Sequence, residues 1–256
     1  MIENQLYQSA LRKMDPESSA RIQRFYHRED ACRTLLGRLL IRKLLKQRGI
    51  TSREMTFGAT AAKKPYTTPG LNPPIAYNIS HDNGLIAMAF APGIHNSPVF
   101  NIGIDVMKVR IPDRNTLASF VESVSDQLTT SEYHGLFSER GSGISEAETL
   151  KRFFWLWTIK EAYTKALGLG LGFAFRRVEY DIGENVVRVD KEIALGWRFT
   201  KFMLTDENDL YQGVVAEYIG GATIEIIDEM GSQNCVSPWK AVPFVETVLH
   251  ELDDGE

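Results

Sequence analysis

The chain lacks the features of a disulfide-bonded, zinc-binding or membrane-spanning protein. Its 256 residues include two cysteines, Cys32 and Cys235, and neither lies in a CxxC or Cys/His cluster. A disulfide framework and a structural zinc site are therefore not supported. No apolar run reaches the roughly 20 residues of a membrane helix, and the first residues have no signal-peptide pattern. We therefore expect a cytoplasmic protein with no membrane association.

An excess of positive charge is also absent, since the formal net charge is −4. This balance argues against nucleic acid as the main ligand. The charge is nevertheless uneven. Residues 21–48 carry nine lysines and arginines against Glu29 and Asp30, whereas residues 224–256 carry eight acids against Lys240. The early basic stretch could bind phosphates or an acidic protein partner, and it could equally be a solvated helix face.

Size and composition are those of a globular protein. Hydrophobic residues make up 43% of the chain and charged residues 24%, as in ordinary soluble domains. This length can form one large domain or two modules of roughly 100 to 150 residues each. Apolar spacing predicts helices over residues 2–14, 29–47, 116–137 and 146–167, and strands over 75–81, 85–91, 100–106, 178–181, 186–189, 197–204 and 213–218.

The order of these elements suggests two halves. Helices precede strands in residues 1–110, and the same order returns in residues 111–256. The triplet Asp82-Asn83-Gly84 predicts a hairpin between the first two strands. A glycine- and serine-rich break is expected at residues 138–145. The pattern weakens after about residue 231, where a peripheral helix near residues 244–252 is expected. We predict an α+β protein.

The segment 155–168 places charge and apolar bulk on opposite faces of one helix. Trp157, Glu161 and Lys165 are spaced by four and share a face, with Lys160 and Thr164 beside them. Apolar residues at positions 156, 159, 163 and 167 form the other face, which can anchor the helix in a core. The pattern fits a functional site. It also fits an amphipathic surface helix with a Glu161–Lys165 ion pair and a glycine C-cap.

Other polar groups lie on predicted rigid elements. Ser80 and His81 end one strand, and Asp105 lies opposite the apolar face of another. Two carboxylates from distant segments, such as Asp105 and Glu161, would suit Mg²⁺ if they met in a cleft, because this ion takes few protein ligands and retains phosphate oxygens. Each group alone has a structural alternative: a turn acid for Asp105, a core histidine for His81, a solvated loop for Lys64.

Five segments together resemble one enzyme family. They are an arginine-rich segment at residues 21–37, Lys-Pro at 64–65, Asn-Ile-Ser-His at 78–81, Gly-Ile-Asp at 103–105, and Trp-Thr-Ile-Lys-Glu-Ala-Tyr-Thr-Lys at 157–165. In order and spacing they resemble the 4′-phosphopantetheinyl transferases of the surfactin-synthetase type, in particular the eukaryotic, broad-range, lysine-pathway-like branch. The resemblance covers about residues 18–220. It implies a pseudo-dimer of two similar α+β halves, 1–110 and 111–256, with the active site between them.

The resemblance also implies a reaction. The phosphopantetheine arm of coenzyme A would move to a serine of an apo acyl or peptidyl carrier protein, as in holo-acyl-carrier-protein synthases. Asp105 and Glu161 would hold Mg²⁺, Glu161 would accept the serine proton, and Lys165 would complete the catalytic group. The implied coenzyme A contacts are Arg21, Thr34, Lys64, Ser80, His81, Lys160 and Lys165. Gly103 would let a ligand approach its strand closely, and Glu132 would lie near the metal.

Some positions depart from the family pattern. Met107 stands where many members have a glutamate, and a thioether is a poor ligand for magnesium. The eukaryotic branch resembles this chain in having methionine there, so we expect a broad-range enzyme in which water or another group completes the metal shell. Lys63 stands where a glycine is usual. The family usually has a strand before its first helix, whereas residues 2–14 look helical, so we expect a shortened N-terminal half.

The implied partners are coenzyme A and carrier domains. Those of aminoadipate reductase, fatty acid synthase, polyketide synthase and peptide synthetase all fit, and their acidic surfaces would attract the basic stretch. Because an internal pseudo-dimer has already paired its halves, a monomer is expected. Two alternatives remain: a non-catalytic coenzyme A or carrier-binding module of the same fold, and a metal-dependent phosphodiesterase that uses Asp105 and Glu161 with water as nucleophile.

Overall fold

A computed structural model of the chain describes residues 2–68, 70–95, 101–112, 115–137, 143–169, 172–229 and 235–253. The helices are α1 (Asn4–Arg12), α2 (Pro16–Gln23), α3 (Arg28–Gln47), α4 (Leu117–Ser123), α5 (Thr130–Phe137), α6 (Glu146–Leu167) and α7 (Ala241–Leu252). The strands are β1 (Phe57–Ala59), β2 (Pro65–Thr67), β3 (Ile75–Asp82), β4 (Leu85–Pro92), β5 (Ile102–Lys108), β6 (Val178–Asp181), β7 (Val186–Val189), β8 (Glu192–Ile193), β9 (Trp197–Asp206), β10 (Asp209–Tyr218) and β11 (Glu225–Asp228). The predicted α+β class is confirmed.

Helix α6 is the longest helix in the described ranges, and its ends follow from local chemistry. The Ser145 side chain accepts a hydrogen bond from the Glu148 backbone N–H at 3.2 Å, which satisfies one free donor of the first turn. Gly168 ends the helix with a left-handed φ of 66°, as expected of a C-cap glycine. Leu156 and Ile159 are fully buried in the largest core cluster. The predicted helix and its apolar face are confirmed.

The predicted hairpin and the central strand are also confirmed. Strands β3 and β4 pair in antiparallel register up to Asp82 opposite Leu85, and Asn83 adopts a positive φ of 48° in the turn. Strand β5 begins at Ile102; the predicted position 100 lies outside the described residues, as do residues 138–142 of the predicted break. Residues 116–137 form two helices separated by a 3₁₀ turn rather than one continuous helix.

A four-stranded sheet joins the two halves of the sequence. Its order is β11-β9-β10-β5, and β5 pairs with β10 so that Asp105 lies opposite Val214. Side-chain bonds attach the β3–β4 hairpin to the free edge of β5, since the Ile104 backbone N–H donates to Asn78 Oδ1 at 2.9 Å. Strand β5, from the first half of the chain, is therefore held between the hairpin and strands of the second half.

Helix α6 packs so closely against β5 that backbone atoms of the two elements are in contact. A Cβ atom on Gly103 would lie 2.1 Å from the Ala162 carbonyl oxygen and 2.4 Å from the Ala166 nitrogen. Gly103 was predicted to allow the close approach of a ligand. This prediction is corrected, because the close neighbour is the helix itself. The contact brings the strand that carries Asp105 next to the helix that carries Glu161 and Lys165.

The C-terminal helix α7 is not peripheral. It buries Phe244, Val245, Val248 and Leu252 in a core cluster with residues of α1 and α3. The Lys43 ammonium donates to Glu251 at 2.7 Å across the same contact. The expected peripheral helix is therefore part of a core built by the first half. The boundary at residue 110 stays a prediction. Two contacts join residues on either side of it: the packing of α7 against α1 and α3, and the pairing of β5 with β10. Within the described ranges no helix combines the length and apolarity that a membrane span requires.

Candidate active site

The side chains of Asp105, Ser80 and Lys165 meet, and each comes from a different element. The Lys165 Nζ donates to Asp105 Oδ1 at 2.6 Å and to Ser80 Oγ at 3.0 Å, and the Ser80 hydroxyl donates to the same carboxylate oxygen at 3.0 Å. Asp105 is 4% exposed, whereas the Lys165 side chain is 31% exposed. The triangle joins β3, β5 and the last turn of α6. Asp105 and Ser80 are buried, and Lys165 reaches the surface.

The second oxygen of Asp105 is in a different state. Its Oδ2 atom is buried and has no hydrogen-bond partner among the residues that the structure describes. Burial raises the pKa of Asp105, although the Lys165 ammonium opposes the shift. The pKa of Glu161 is also raised, mainly by burial and secondly by the negative charge of Asp105. The two carboxylates therefore lie close enough to repel each other. An orphaned buried oxygen beside a second carboxylate fits a divalent cation, which would bind both.

The donor set for such a cation is small. No group of three or more histidines, cysteines or acids could hold a metal within the described part of the chain. Met107, two residues after Asp105 on β5, is half-buried and packs against the core around α6. Its thioether is not a ligand for a hard cation. The residues present therefore fit an ion that keeps water or substrate oxygens in most positions, as Mg²⁺ does.

Basic and acidic side chains occur together at the start of α3. A cavity of about 530 Å³ is lined by His27, Arg28, Glu29, Asp30 and Arg33. The Arg33 side chain donates to Asp30 and to the Asn83 carbonyl oxygen, each at 2.8 Å, so it joins α3 to the hairpin turn. Arg33 is not among the contact residues predicted from the sequence. The i,i+3 spacing of Asp30 and Arg33 was the available signal.

His81 is near both Arg33 of the cavity and Lys165 of the Asp105 group, since both charges act on its imidazole. His81 is exposed, although neighbouring atoms cover part of it. This partial burial lowers its pKa most, and the positive charges of Arg33 and Lys165 lower it further. Arg21 is exposed in the last turn of α2. Thr34 is half-buried on α3, the helix whose first turn lines the cavity. These residues stay predicted coenzyme A contacts.

Lys160 has surroundings that the sequence analysis did not anticipate. The side chain is fully buried, and its Nζ pairs with Glu132 at 2.8 Å and donates to the carbonyl oxygens of Phe175 and Val178 at 3.0 and 2.5 Å. Glu132 in turn accepts from the Tyr180 backbone N–H at 3.0 Å. Three partners occupy the three N–H donors of the ammonium. We therefore remove Lys160 from the coenzyme A contacts and Glu132 from the surroundings of the metal.

Lys64 also faces protein atoms. It is 6% exposed, and its Nζ donates to the carbonyl oxygens of Ile102 at 2.9 Å and Ala166 at 2.6 Å. Burial lowers the pKa of Lys64 to about 7. A buried amine bonded to two backbone oxygens is not directed at a solvent-exposed phosphate. Lys64 is therefore corrected from a phosphate contact to a bridge between β5 and α6.

Trp157 takes part in aromatic packing. Its ring stacks on Phe153 with centroids 5.9 Å apart and meets Phe175 edge to face at 5.3 Å. Lys165, which could have paired with Glu161 along the helix, pairs with Asp105 across the contact with β5. Helix α6 therefore contributes Glu161 and Lys165 to the site, and its other motif residues hold it in place.

Two carboxylates and a lysine on rigid elements are the groups that enzymes use to bind and transfer phosphoryl groups, commonly with a metal ion. Comparison with known proteins is more specific. The model of the family "4′-phosphopantetheinyl transferase, N-terminal" matches residues 3–93. The model of the "4′-phosphopantetheinyl transferase superfamily" matches residues 101–212. The chain is 47% identical over 253 residues to 4′-phosphopantetheinyl transferase pptA of Paxillus involutus, covering 96% of this chain and 94% of that protein.

More distant relatives agree. The human L-aminoadipate-semialdehyde dehydrogenase-phosphopantetheinyl transferase is 29% identical over 204 residues, and this match covers 78% of this chain and 62% of the human protein. The 4′-phosphopantetheinyl transferase Sfp of Bacillus subtilis is 31% identical over 170 residues, 66% of this chain and 65% of that protein. The chain belongs to the 4′-phosphopantetheinyl transferase family. The predicted family and its lysine-pathway-like branch are confirmed.

Proposed function

We propose that the chain moves the phosphopantetheine arm of coenzyme A to a serine of an apo carrier-protein domain, with Mg²⁺ held by Asp105 and Glu161. The observation that carries this proposal is the Asp105 carboxylate. One oxygen accepts hydrogen bonds from Ser80 and Lys165, and the buried Oδ2 has no partner in the described part of the chain. Such a carboxylate beside a second one costs free energy unless a cation lies between them. An all-oxygen donor set suits Mg²⁺ rather than a softer metal.

The reaction is a substitution at phosphorus. The carrier serine oxygen forms a bond to the phosphorus that bears the pantetheine arm. The bond from this phosphorus to the bridging pyrophosphate oxygen breaks, and adenosine 3′,5′-bisphosphate leaves with the bonding electron pair. When bound, Mg²⁺ supplies neutralisation of the pyrophosphate charge. Lys165, already directed at the buried carboxylate, neutralises a phosphate oxygen at the edge of the site.

Glu161 is the general base of this proposal. Burial and the charge of Asp105 raise its pKa. A general base works best when its pKa lies near the operating pH, so this shift toward neutral pH favours proton transfer to Glu161. The side chain is half-buried rather than enclosed, so a serine hydroxyl on a second protein can reach it. The proton lost by the serine passes to the Glu161 carboxylate as the new ester bond forms.

The binding of coenzyme A is assigned to the basic side of the site. We place the nucleotide phosphates near Arg21, Thr34 and His81, with Ser80 and Lys165 at the pyrophosphate. The support is the cavity at the start of α3 and its position beside His81, whose pKa responds to Arg33. A bound phosphate would favour the charged imidazole, since an opposite charge stabilises it. Arg21→Ala would then mainly raise KM for coenzyme A.

Carrier domains are the proposed protein substrates. Similarity to L-aminoadipate-semialdehyde dehydrogenase-phosphopantetheinyl transferases favours the aminoadipate reductase carrier, and fatty acid synthase, polyketide synthase and peptide synthetase carriers fit the same chemistry. The basic stretch of residues 21–48 would attract an acidic carrier surface and raise the association rate. We also propose a cytoplasmic location and a monomeric state, which rest on the sequence interpretation.

Intact mass spectrometry tests the reaction directly. An apo carrier domain is incubated with the chain, coenzyme A and Mg²⁺, with EDTA as control. We expect a metal-dependent mass gain of about 340 Da, the phosphopantetheine arm. Coenzyme A binding without a gain on several carriers would instead select the non-catalytic module. Turnover of coenzyme A without any carrier would select the phosphodiesterase.

Glu161→Gln tests the assigned base and metal ligand in the same assay. We expect transfer to be abolished, because the amide neither accepts the serine proton nor binds Mg²⁺ as a carboxylate does. Glu146→Gln is the matched control, since Glu146 is exposed in the first turn of the same helix. Normal transfer by a folded Glu161→Gln variant would refute the role of Glu161.

A further inference from the structure

The Lys64 side chain lies where β5 meets α6, and it has no role in the reaction proposed above. Its ammonium lies between the ends of β5 and α6, bonded to Ile102 O at 2.9 Å and Ala166 O at 2.6 Å. Ile102 lies three residues before Asp105 on β5, and Ala166 directly follows Lys165 on α6. One buried side chain therefore connects the strand that carries one proposed metal ligand to the helix that carries the other.

The same two elements touch elsewhere without side chains. The missing Cβ of Gly103 lets β5 approach the backbone of α6 at Ala162 and Ala166. Close packing brings the elements together, but it is non-directional, and a strand can slide along a helix at little cost in contact area. Two hydrogen bonds from one amine to one carbonyl on each element oppose such sliding.

The position of Lys64 itself is well determined. Its backbone N–H donates to Thr60 Oγ1 at 3.1 Å, and its carbonyl oxygen accepts from the Thr60 N–H at 2.9 Å. The preceding residue, Lys63, closes the turn with a positive φ of 65°. The Ala166 carbonyl belongs to the last turn of α6, where helix carbonyls have no partner within the helix. Lys64 thus provides a fixed donor for an acceptor that otherwise lacks one.

We propose that Lys64 is a positioning residue that fixes β5 against α6 and thereby sets the separation of Asp105 and Glu161 needed for a divalent cation. This inference rests on the proposed function. It differs from the role implied by family resemblance, in which the lysine binds a phosphate of coenzyme A. A positioning lysine acts on the affinity for the metal, and a phosphate ligand acts on the affinity for coenzyme A whether or not metal is present.

Lys64→Met separates these roles, because methionine keeps the apolar stem and removes the donors. Mn²⁺ binding to the complex with coenzyme A is measured by electron paramagnetic resonance, and coenzyme A binding by calorimetry in EDTA. We expect the Kd for Mn²⁺ to rise about tenfold, within the range seen when groups supporting metal ligands are removed. The Kd for coenzyme A in EDTA should stay unchanged. Lys63→Met, at the exposed neighbouring position, is the matched control and should leave both constants unchanged.

Each of the other possible results would overturn a specific part of the proposal. Unchanged Mn²⁺ affinity in Lys64→Met, with an active wild type, would overturn the positioning role. A weaker affinity for coenzyme A in EDTA would overturn it in favour of a phosphate contact. A wild-type protein that neither binds Mn²⁺ nor modifies a carrier would remove the proposed function itself, and this inference with it.

Lys64→Gln provides a second variant if Lys64→Met does not fold. The amide retains two N–H donors on a shorter side chain, so it can satisfy one of the two carbonyls. We expect a folded protein with a Kd for Mn²⁺ between those of the wild type and Lys64→Met, and wild-type affinity for coenzyme A in EDTA. Wild-type Mn²⁺ affinity in this variant would contradict the requirement for both bonds.

Discussion

At the scale of the residue, three lysines in family motifs have three different environments. Lys165 is partly exposed and paired with Asp105, Lys64 is buried against backbone carbonyls, and Lys160 is buried against Glu132. Sequence spacing distinguishes none of these, because burial depends on what packs over each side chain. Their substitutions should therefore affect different properties: transfer for Lys165, metal affinity for Lys64 and stability for Lys160.

Lys160→Met should destabilise the fold rather than weaken coenzyme A binding. The change leaves Glu132 buried and without its cation, which costs about 3–5 kcal/mol when one partner of a buried pair is removed. Urea denaturation measures the loss. Lys151→Met, at an exposed position of the same helix, should be nearly neutral. The double variant Lys160→Met with Glu132→Gln should recover part of the stability. Wild-type stability together with a raised KM for coenzyme A would instead restore Lys160 as a phosphate contact.

Lys64 should make stability depend on pH. Burial lowers its pKa to about 7 in the folded protein, from an ordinary value of 10.5. Between these values the unfolded chain binds one more proton than the folded chain, so the free energy of unfolding rises with pH through this window. The gain is lost as the pH falls toward 7. Urea denaturation between pH 7 and 10 should show a steeper rise for wild type than for Lys64→Met, and parallel curves would contradict the lowered pKa.

At the scale of the element, the contact between β5 and α6 depends on the absence of one Cβ atom. Gly103→Ala would place a methyl group 2.1 Å from the Ala162 carbonyl oxygen, and backbone atoms cannot move aside as flexible side chains can. We expect a loss of about 3 kcal/mol or more, the upper part of the range for overpacking. Thermal denaturation and Mn²⁺ binding measure the effect on the fold and on the site.

Gly135→Ala is the control for this substitution. Gly135 lies in α5, and a Cβ there meets no atom of the described residues within 4 Å. Alanine has the higher helix propensity, so we expect unchanged stability or a gain of about 0.5–1 kcal/mol. Equal effects of the two glycine substitutions would mean that backbone contact does not determine the position of α6 on β5.

At the scale of the whole molecule, the last helix completes the first core. Val248 is fully buried among residues of α1 and α3, whereas Val242 on the same helix is 40% exposed. Val248→Asp should destabilise the protein by at least about 3 kcal/mol because it buries a charge without a partner, and hydrogen exchange should lose protection in α1 and α3. Val242→Asp should leave both unchanged. A stable Val248→Asp variant would show that the first half folds without α7.

The elements themselves were accessible from the sequence. The period of apolar residues and the capping residues predicted α3, α6, the β3–β4 hairpin and three strands of the central sheet, β5, β9 and β10, whereas β11 was not predicted. These signals are local, since a helix or strand face is encoded within a few residues. Where the signal was weaker, as in residues 116–137 and in the final helix, the prediction was coarser: one helix became two, and a peripheral helix became part of a core.

The sequence by itself determined the α+β class, the family and the residues Asp105, Glu161 and Lys165 as candidates for one site. Only the tertiary structure decided which polar groups face one another. It paired Lys160 with Glu132, directed Lys64 at two carbonyl oxygens and placed α6, rather than a ligand, over Gly103. The physical reason is that periodicity identifies the face of an element, whereas burial and charge pairing arise only when distant elements pack together.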